Sequence, residues 1–370
     1  MTVLILLLLL IGGTLLVTQM LTRRFGFRKL TYTLQFSADE ATEGDTVTLI
    51  ETVTSRKPLP LPWVKAELTT SAALLLASEQ SSVTGDSRFI SSYFCLFPYR
   101  KIERHWKVTC TRRGVFTVSH AVIVISDLFG TMELSQPFPA EAKITVLPAV
   151  RSMDEVSELP AQITGEMIRR RTLIPDRFAV CGIREYSAGD PVRDICWTAS
   201  ARSQQPMVWQ YQETACPDMT VLLNTETRET DRERVSDPVI YEDAIRLCAA
   251  LLGTAVHLRI PVRFCANTAL RGMPAETPFL SGSHALSRHL HLLAELPDTI
   301  AGRFSSLLDR IRSSGEAHAV FIVTAQPTAH IMQAASADPR ITVLSLRRLR
   351  EQEIRPNVMY IPIKRKDDSQ

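Results

Sequence analysis

Residues 1–22 carry no ionisable side chain, and residues 2–21 are almost continuous apolar sequence interrupted by Gly12-Gly13 and a few hydroxyls. Such a run is stable in water only if it is buried on every side. As a helix, about 20 residues rising 1.5 Å each cross a hydrocarbon core of about 30 Å. Residues 1–22 are therefore expected to form a transmembrane anchor. Arg23, Arg24, Arg28 and Lys29 follow immediately. Positive charge at that end places the remainder of the chain in the cytoplasm, giving a single-pass protein of the plasma membrane. A cleaved signal peptide fits less well, because there is no basic segment before the apolar run and no small-x-small cleavage site.

The 370 residues are too many for one core and imply two or three domains. A net charge of +3 is too small to suggest nucleic acid as a partner. Seven cysteines include no C-x-x-C pair, which points to reduced thiols rather than a disulfide framework. No phosphate-binding G-x-x-x-x-G-K, no H-E-x-x-H and no G-x-S-x-G occurs. The reading is of a protein without a cofactor that is not an enzyme.

Residues 30–148 read as a β domain. Val47, Leu49 and Val53 alternate with threonines, and Trp106, Val108 and Cys110 alternate with Lys107 and Thr109. Alternation at period two marks half-buried strands, and Pro58-Leu-Pro-Leu-Pro62 interrupts them. An antiparallel sandwich is expected. Residues 219–363 instead alternate short apolar strands, such as Met219-Thr-Val-Leu-Leu223, with helical periodicity over 241–258, 284–296, 299–313 and 328–337. That order predicts a mostly parallel sheet with helices on both faces. Residues 364–370 form a polar tail.

Between these parts, residues 149–218 hold the densest cluster of position-specific residue types, at 183–202. Asp190 followed by Pro191 suggests an N-cap and a first helical position. Val192, Ile195, Cys196 and Ala199 then make one apolar helical face, with Trp197 large enough to anchor the helix against a neighbour. Glu185 would pair with an arginine. Arg184, Tyr186, Gly189, Asp190, Arg193, Ile195, Trp197, Ala201 and Arg202 resemble, at the same spacing, the signature of the domain-of-unknown-function 58 (DUF58) family. Glu43-Gly44-Asp45, Arg112-Arg113-Gly114 and the segment from Ser126 to Gly130 resemble that family's amino-terminal β domain.

The resemblance implies that residues 219–363 are a von Willebrand factor A-like domain. Such domains bind Mg²⁺ through an Asp-x-Ser-x-Ser loop after the first strand. Here the loop is Asn224-Thr-Glu-Thr-Arg228, and only Asn224 and Glu226 remain as side-chain ligands. Arg228 is expected to pair with Glu226 and occupy the ion's place, so the metal site reads as degenerate. The resemblance also implies partnership with a MoxR-type AAA+ ATPase in assembling or maturing a complex, through a membrane-anchored scaffold. Two rival readings stand beside it. One is an enzyme acting on a charged substrate through Arg184, Asp190, Arg193 and Arg202. The other is an anionic-lipid-binding module built on Arg169-Arg170-Arg171.

Overall fold

A computed structural model describes residues 2–76, 81–127, 129–150, 165, 174–187, 190–214, 218–315, 319–350 and 353–362. The basic run at 169–171, Gly189 and the tail at 364–370 lie outside these residues. The chain divides into two compact units near residue 150, described separately.

The first unit begins with helix α1, Thr2–Phe25. The helix outlasts the uncharged run by one turn, so Arg23 and Arg24 lie within it, where cations favour the negative end of the helix dipole. Two sheets follow. One has the order β1 (Leu30–Phe36), β3 (Thr46–Ser55), β8 (Lys101–Cys110), β5 (Leu74–Leu76). The other runs β2 (Glu40–Thr42), β10 (Glu133–Leu147), β9 (Gly114–Ser126), β4 (Leu61–Ser71), β7 (Ser87–Leu96), β6 (Ser81–Thr84). All pairings are antiparallel except β2 with β10. Leu34, Leu49, Val53 and Val108 from the first sheet share one core with Val64, Leu68, Ile123 and Ile144 from the second. The proline break is shorter than its sequence suggests. Strand β4 already starts at Leu61, and Pro62 falls at a bulge in its pairing with β7, where no ladder hydrogen bond is needed.

The inner face of β3 carries an unexpected residue. Leu49, Glu51 and Val53 all point inward, and Glu51 is completely buried. Its carboxylate accepts hydrogen bonds from Tyr32 Oη at 3.1 Å, Arg104 Nη2 at 2.8 Å and Trp106 Nε1 at 3.0 Å.

The second unit contains a two-stranded antiparallel ribbon, β11 (Ile174–Glu185) with β12 (Met207–Thr214), joined by the signature segment. Beyond it lies a six-stranded sheet. Its order is β15 (Met273–Glu276), β14 (Val262–Leu270), β13 (Met219–Leu223), β16 (Ala319–Thr324), β17 (Ile341–Ser345), β18 (Val358–Tyr360). Strands β14, β13, β16, β17 and β18 are parallel and β15 is antiparallel to β14. The hairpin to β15 turns through Arg271 and Gly272, both at positive φ as a two-residue primed turn requires. Helices α3 (Pro238–His257), α4 (Ser283–Glu295), α5 (Phe304–Ser314) and α6 (Ala329–Ala337) connect the strands. Helices α5 and α6 bury Leu308 and Ile331 against Leu222, Ile322 and Val343. Strands β13, β16 and β17 are buried throughout, as expected of parallel strands covered on both faces.

Two helix starts differ from the sequence expectation. Helix α3 begins at Pro238, capped by Asp237, whose carboxylate accepts from Ile240 N at 3.2 Å. Helix α5 begins at Phe304 rather than 299. Thr299 bridges Arg234, Ile300 N donates to Glu233 O, and Ala301 N donates to Asn267 O, so this backbone is paired in extended form.

Candidate functional site

The signature segment departs from a continuous helix. Val192–Asp194 is a single 3-10 turn, Ile195 and Cys196 are extended, and helix α2 is Trp197–Ser203. Sheet pairing outcompetes the helix at the break. Ile195 bridges Val208, and Cys196 N donates to Met207 O at 2.8 Å. Ser200 staples the junction, donating to Cys196 O at 2.9 Å and accepting from Met207 N at 2.8 Å.

Asp190 does not cap a helix. It forms a two-pronged pair with Arg184, with contacts of 2.8 and 2.7 Å, and accepts from Ser187 N at 2.8 Å. The Arg184 hydrogen bonds, with Ser187 N second, hold the Asp190 carboxyl at about 2. This pair closes the turn at the end of β11, where Tyr186 N also donates to Pro206 O. Arg184 Nη1 donates to the Glu185 backbone carbonyl at 3.0 Å rather than to its carboxylate. Arg193, Ala201 and Arg202 are exposed and Ile195 is half-buried. The proposed enzyme quartet is therefore one surface ion pair and two exposed guanidinium groups.

Trp197 is not an anchor. It is 70% exposed, while the buried contacts of the segment come from Cys196 and Val208. Val180, Ile183, Tyr186, Val192 and Trp209 are exposed as well. Ile183 and Trp209 are directly paired across the ribbon, so they share one face. These six large apolar side chains lie within residues 180–209, whereas residues 219–361 expose only Val239, Met273 and Ile354 among those described. Residues 83–99 of the first unit expose a comparable set, Val83, Phe89, Tyr93, Phe97 and Tyr99.

Residues 182–361 match the profile of the family described as "Protein of unknown function DUF58". These residues are a DUF58 region. The DUF58 region runs from the last residues of β11 to just beyond β18. No curated protein matched the sequence. Among solved structures, a non-cellulosomal cohesin from Archaeoglobus fulgidus is similar at 13% identity, covering 32% of this chain and 91% of that one, with a TM-score of 0.23. A CARDB domain from Pyrococcus furiosus gives 14% identity, 32% and 87% coverage and a TM-score of 0.23. Salmonella alpha-2-macroglobulin gives 18% identity, 33% and 7% coverage and a TM-score of 0.23.

The DUF58 region holds a second polar assembly. In an open parallel sheet of this strand order, ligands enter the crevice beyond the carboxyl ends of the two central strands. Here those ends are Leu223 of β13 and Thr324 of β16. Asn224 is buried; its amide nitrogen donates to Thr324 Oγ1 at 3.1 Å and its carbonyl oxygen accepts from Glu226 N at 3.0 Å. Thr225 donates through both N and Oγ1 to Asn267 Oδ1. Glu226 does not pair with Arg228. Its Oε1 accepts from Phe304 N at 2.9 Å, placing a carboxylate at the positive end of α5, and from Asn267 Nδ2 at 3.4 Å. Arg228 contributes its backbone N–H to Asp231 at 3.1 Å. Arg347 Nη1 donates to Gln326 Oε1 at 3.0 Å beside the same strand ends. Asp231, Asn267 and Arg347 carry much of this assembly, and no local motif in the sequence announces them.

With its oxygens engaged in this way, the loop is expected to ignore divalent cations. A ligand at 100 times its Kd adds about 2.7 kcal/mol to stability. Melting of the full chain in detergent should be the same in millimolar Mg²⁺ as in EDTA. A saturable rise in Tm with Mg²⁺ that disappears in Glu226→Ala would establish a working metal site instead.

Proposed function

We propose that this protein is a single-pass scaffold of the plasma membrane. Helix α1 holds both units at the cytoplasmic face, and the β11–β12 ribbon with α2 offers a docking surface to a MoxR-type AAA+ ATPase that assembles or matures a complex. The exposed set Val180, Ile183, Tyr186, Val192, Trp197 and Trp209 carries this reading, because aromatic side chains dominate the energetics of protein–protein contacts. The DUF58 region supports the choice of partner. The length and composition of α1 support the anchor: its apolar span, Leu4–Phe25, covers 22 residues. We further read the α/β part of the DUF58 region as von Willebrand factor A-like, on the strand order with an antiparallel edge and the loop after the first strand.

Affinity capture of the detergent-solubilised protein, with and without ATP, tests the proposal. An AAA+ ATPase of MoxR type should be recovered in a nucleotide-dependent manner. The variant Trp197→Ser should lose that recovery while keeping the wild-type melting temperature, since that ring is 70% exposed. Equal recovery by the variant would remove Trp197 from the interface. Recovery of no such ATPase under either condition would reject the partner.

A further inference from the structure

The membrane end of the first unit contains a built groove. Its volume is about 820 Å³. Leu21 and Phe25 of α1 form one wall and Leu59, between Pro58 and Pro60 of the β3–β4 connection, forms the other. Arg28, Lys29 and Lys57 also line it. Two of these cations, Arg28 and Lys29, are exposed beside the apolar walls, while Lys57 is buried. Walls and exposed cations together match an amphiphile whose head is an anion.

The groove is held in place at the C-terminal end of α1. Gln19 Nε2 donates to Thr131 Oγ1 at 2.9 Å, tying the last turns of the helix to the β9–β10 hairpin. Lys57 is buried, and its ammonium donates to the carbonyl of Phe25 at 3.1 Å and to that of Gly26. A cation there satisfies the open carbonyls at the end of α1. Gly26 allows the close approach: a Cβ at this position would meet Ile125 Cδ1 at 2.4 Å. Arg28 lies 5.6 Å from the Phe25 ring centre, so the cation sits directly above the apolar wall. Burial lowers the Lys57 ammonium to about 8, and an anion bound beside it would favour its charged form.

We propose that this groove binds one anionic phospholipid of the membrane that α1 enters, with the phosphate between Arg28 and Lys29 and an acyl chain along Leu21, Phe25 and Leu59. The proposal rests on the anchor reading of α1. A lipid is favoured over a free phosphate because most of the wall is apolar and the site sits at the end of the apolar span. Basic side chains at a membrane surface each strengthen binding to anionic lipid by about 1 kcal/mol.

Full-length protein in detergent, titrated with phosphatidylglycerol, phosphatidylcholine or inorganic phosphate, tests the site by thermal shift. Phosphatidylglycerol should raise Tm saturably; phosphatidylcholine and inorganic phosphate should not. Arg28→Gln/Lys29→Gln should weaken the phosphatidylglycerol response about 30-fold. Leu59→Glu should weaken it through the acyl wall while leaving the cations in place. Equal responses to the two lipids, an equal response to inorganic phosphate, or an undiminished response in both variants would overturn the proposal. Carbonate washing of membranes from expressing cells separates this from the anchor. Wild type and variants retained in the pellet support the anchor whatever the lipid preference, whereas release of wild type would sink the anchor and the lipid site together.

Discussion

Arg104→Met should cost the β unit about 3–5 kcal/mol, because it strands a buried carboxylate without its cation. Glu51 has no exposed surface. Arg104 Nη2 lies 2.8 Å from its Oε2 and also 2.8 Å from Ser92 Oγ, and the guanidinium lies 4.3 Å from the Phe94 ring centre. Methionine can fill the space beside Phe94 but offers no charge and no donor. Tyr32 remains a donor to Glu51, since burial first, and then the nearby Glu51 charge and hydrogen bond, push its phenol far above the ordinary range. One phenol and one indole do not compensate a full charge. The double variant Glu51→Gln/Arg104→Met should recover much of the loss, because it leaves no charge to desolvate. Calorimetry or denaturant unfolding of the full chain measures both. A loss below about 1 kcal/mol for Arg104→Met would show that the Glu51–Arg104 pair does not hold the β unit together.

Asp231→Ala should destabilise the α/β part of the DUF58 region by about 2–3 kcal/mol at neutral pH. The carboxylate is buried and gathers Thr227 N at 2.9 Å, Thr227 Oγ1 at 2.7 Å, Arg228 N at 3.1 Å and the Ser236 hydroxyl. It closes the loop between β13 and α3, and removing it orphans N–H groups that water reaches poorly. Burial acts to raise this carboxyl, but the hydrogen bonds from Ser236 and Thr227 outweigh it and hold it at about 2. The folded value is below the unfolded value of about 3.9, so the contribution is complete above that pH and is lost as the pH falls toward 2. The difference in stability between wild type and Asp231→Ala should therefore be constant from neutral pH down to about 5 and shrink below about 4. A difference that stays flat through the acid range would show that the carboxyl is not held low by these bonds.

Much of the architecture was legible locally. The uncharged run at 1–22 dictated one apolar helix, whose own hydrogen bonds satisfy its backbone without a partner strand. Period-two alternation marked β3 and β8, and the short apolar runs marked β13, β16 and β17. The spacing of Arg184, Tyr186, Asp190, Arg193 and Trp197 was sufficient for the family, now matched over 182–361.

The fate of individual polar and aromatic groups was decided only by tertiary structure. Of the three Asp-Pro pairs, two, at 190–191 and 237–238, stand before helical turns. The second caps α3; the first has the same local chemistry but finds Arg184 across the turn and leaves the cap open. Glu51 continues the inward parity of Leu49 and Val53, yet it is tolerated only because Tyr32, Arg104 and Trp106 arrive from other strands. Glu226 bypasses nearby Arg228 for the start of a helix 78 residues away. Trp197 could not be placed inside or outside from its neighbours, because the break at Ile195 and Cys196, set by pairing with β12, rotates it into solvent. Periodicity is a property of adjacent residues and survives in the sequence. The partner a charge or ring finds is a competition among groups brought together by folding, and that competition is settled only in three dimensions.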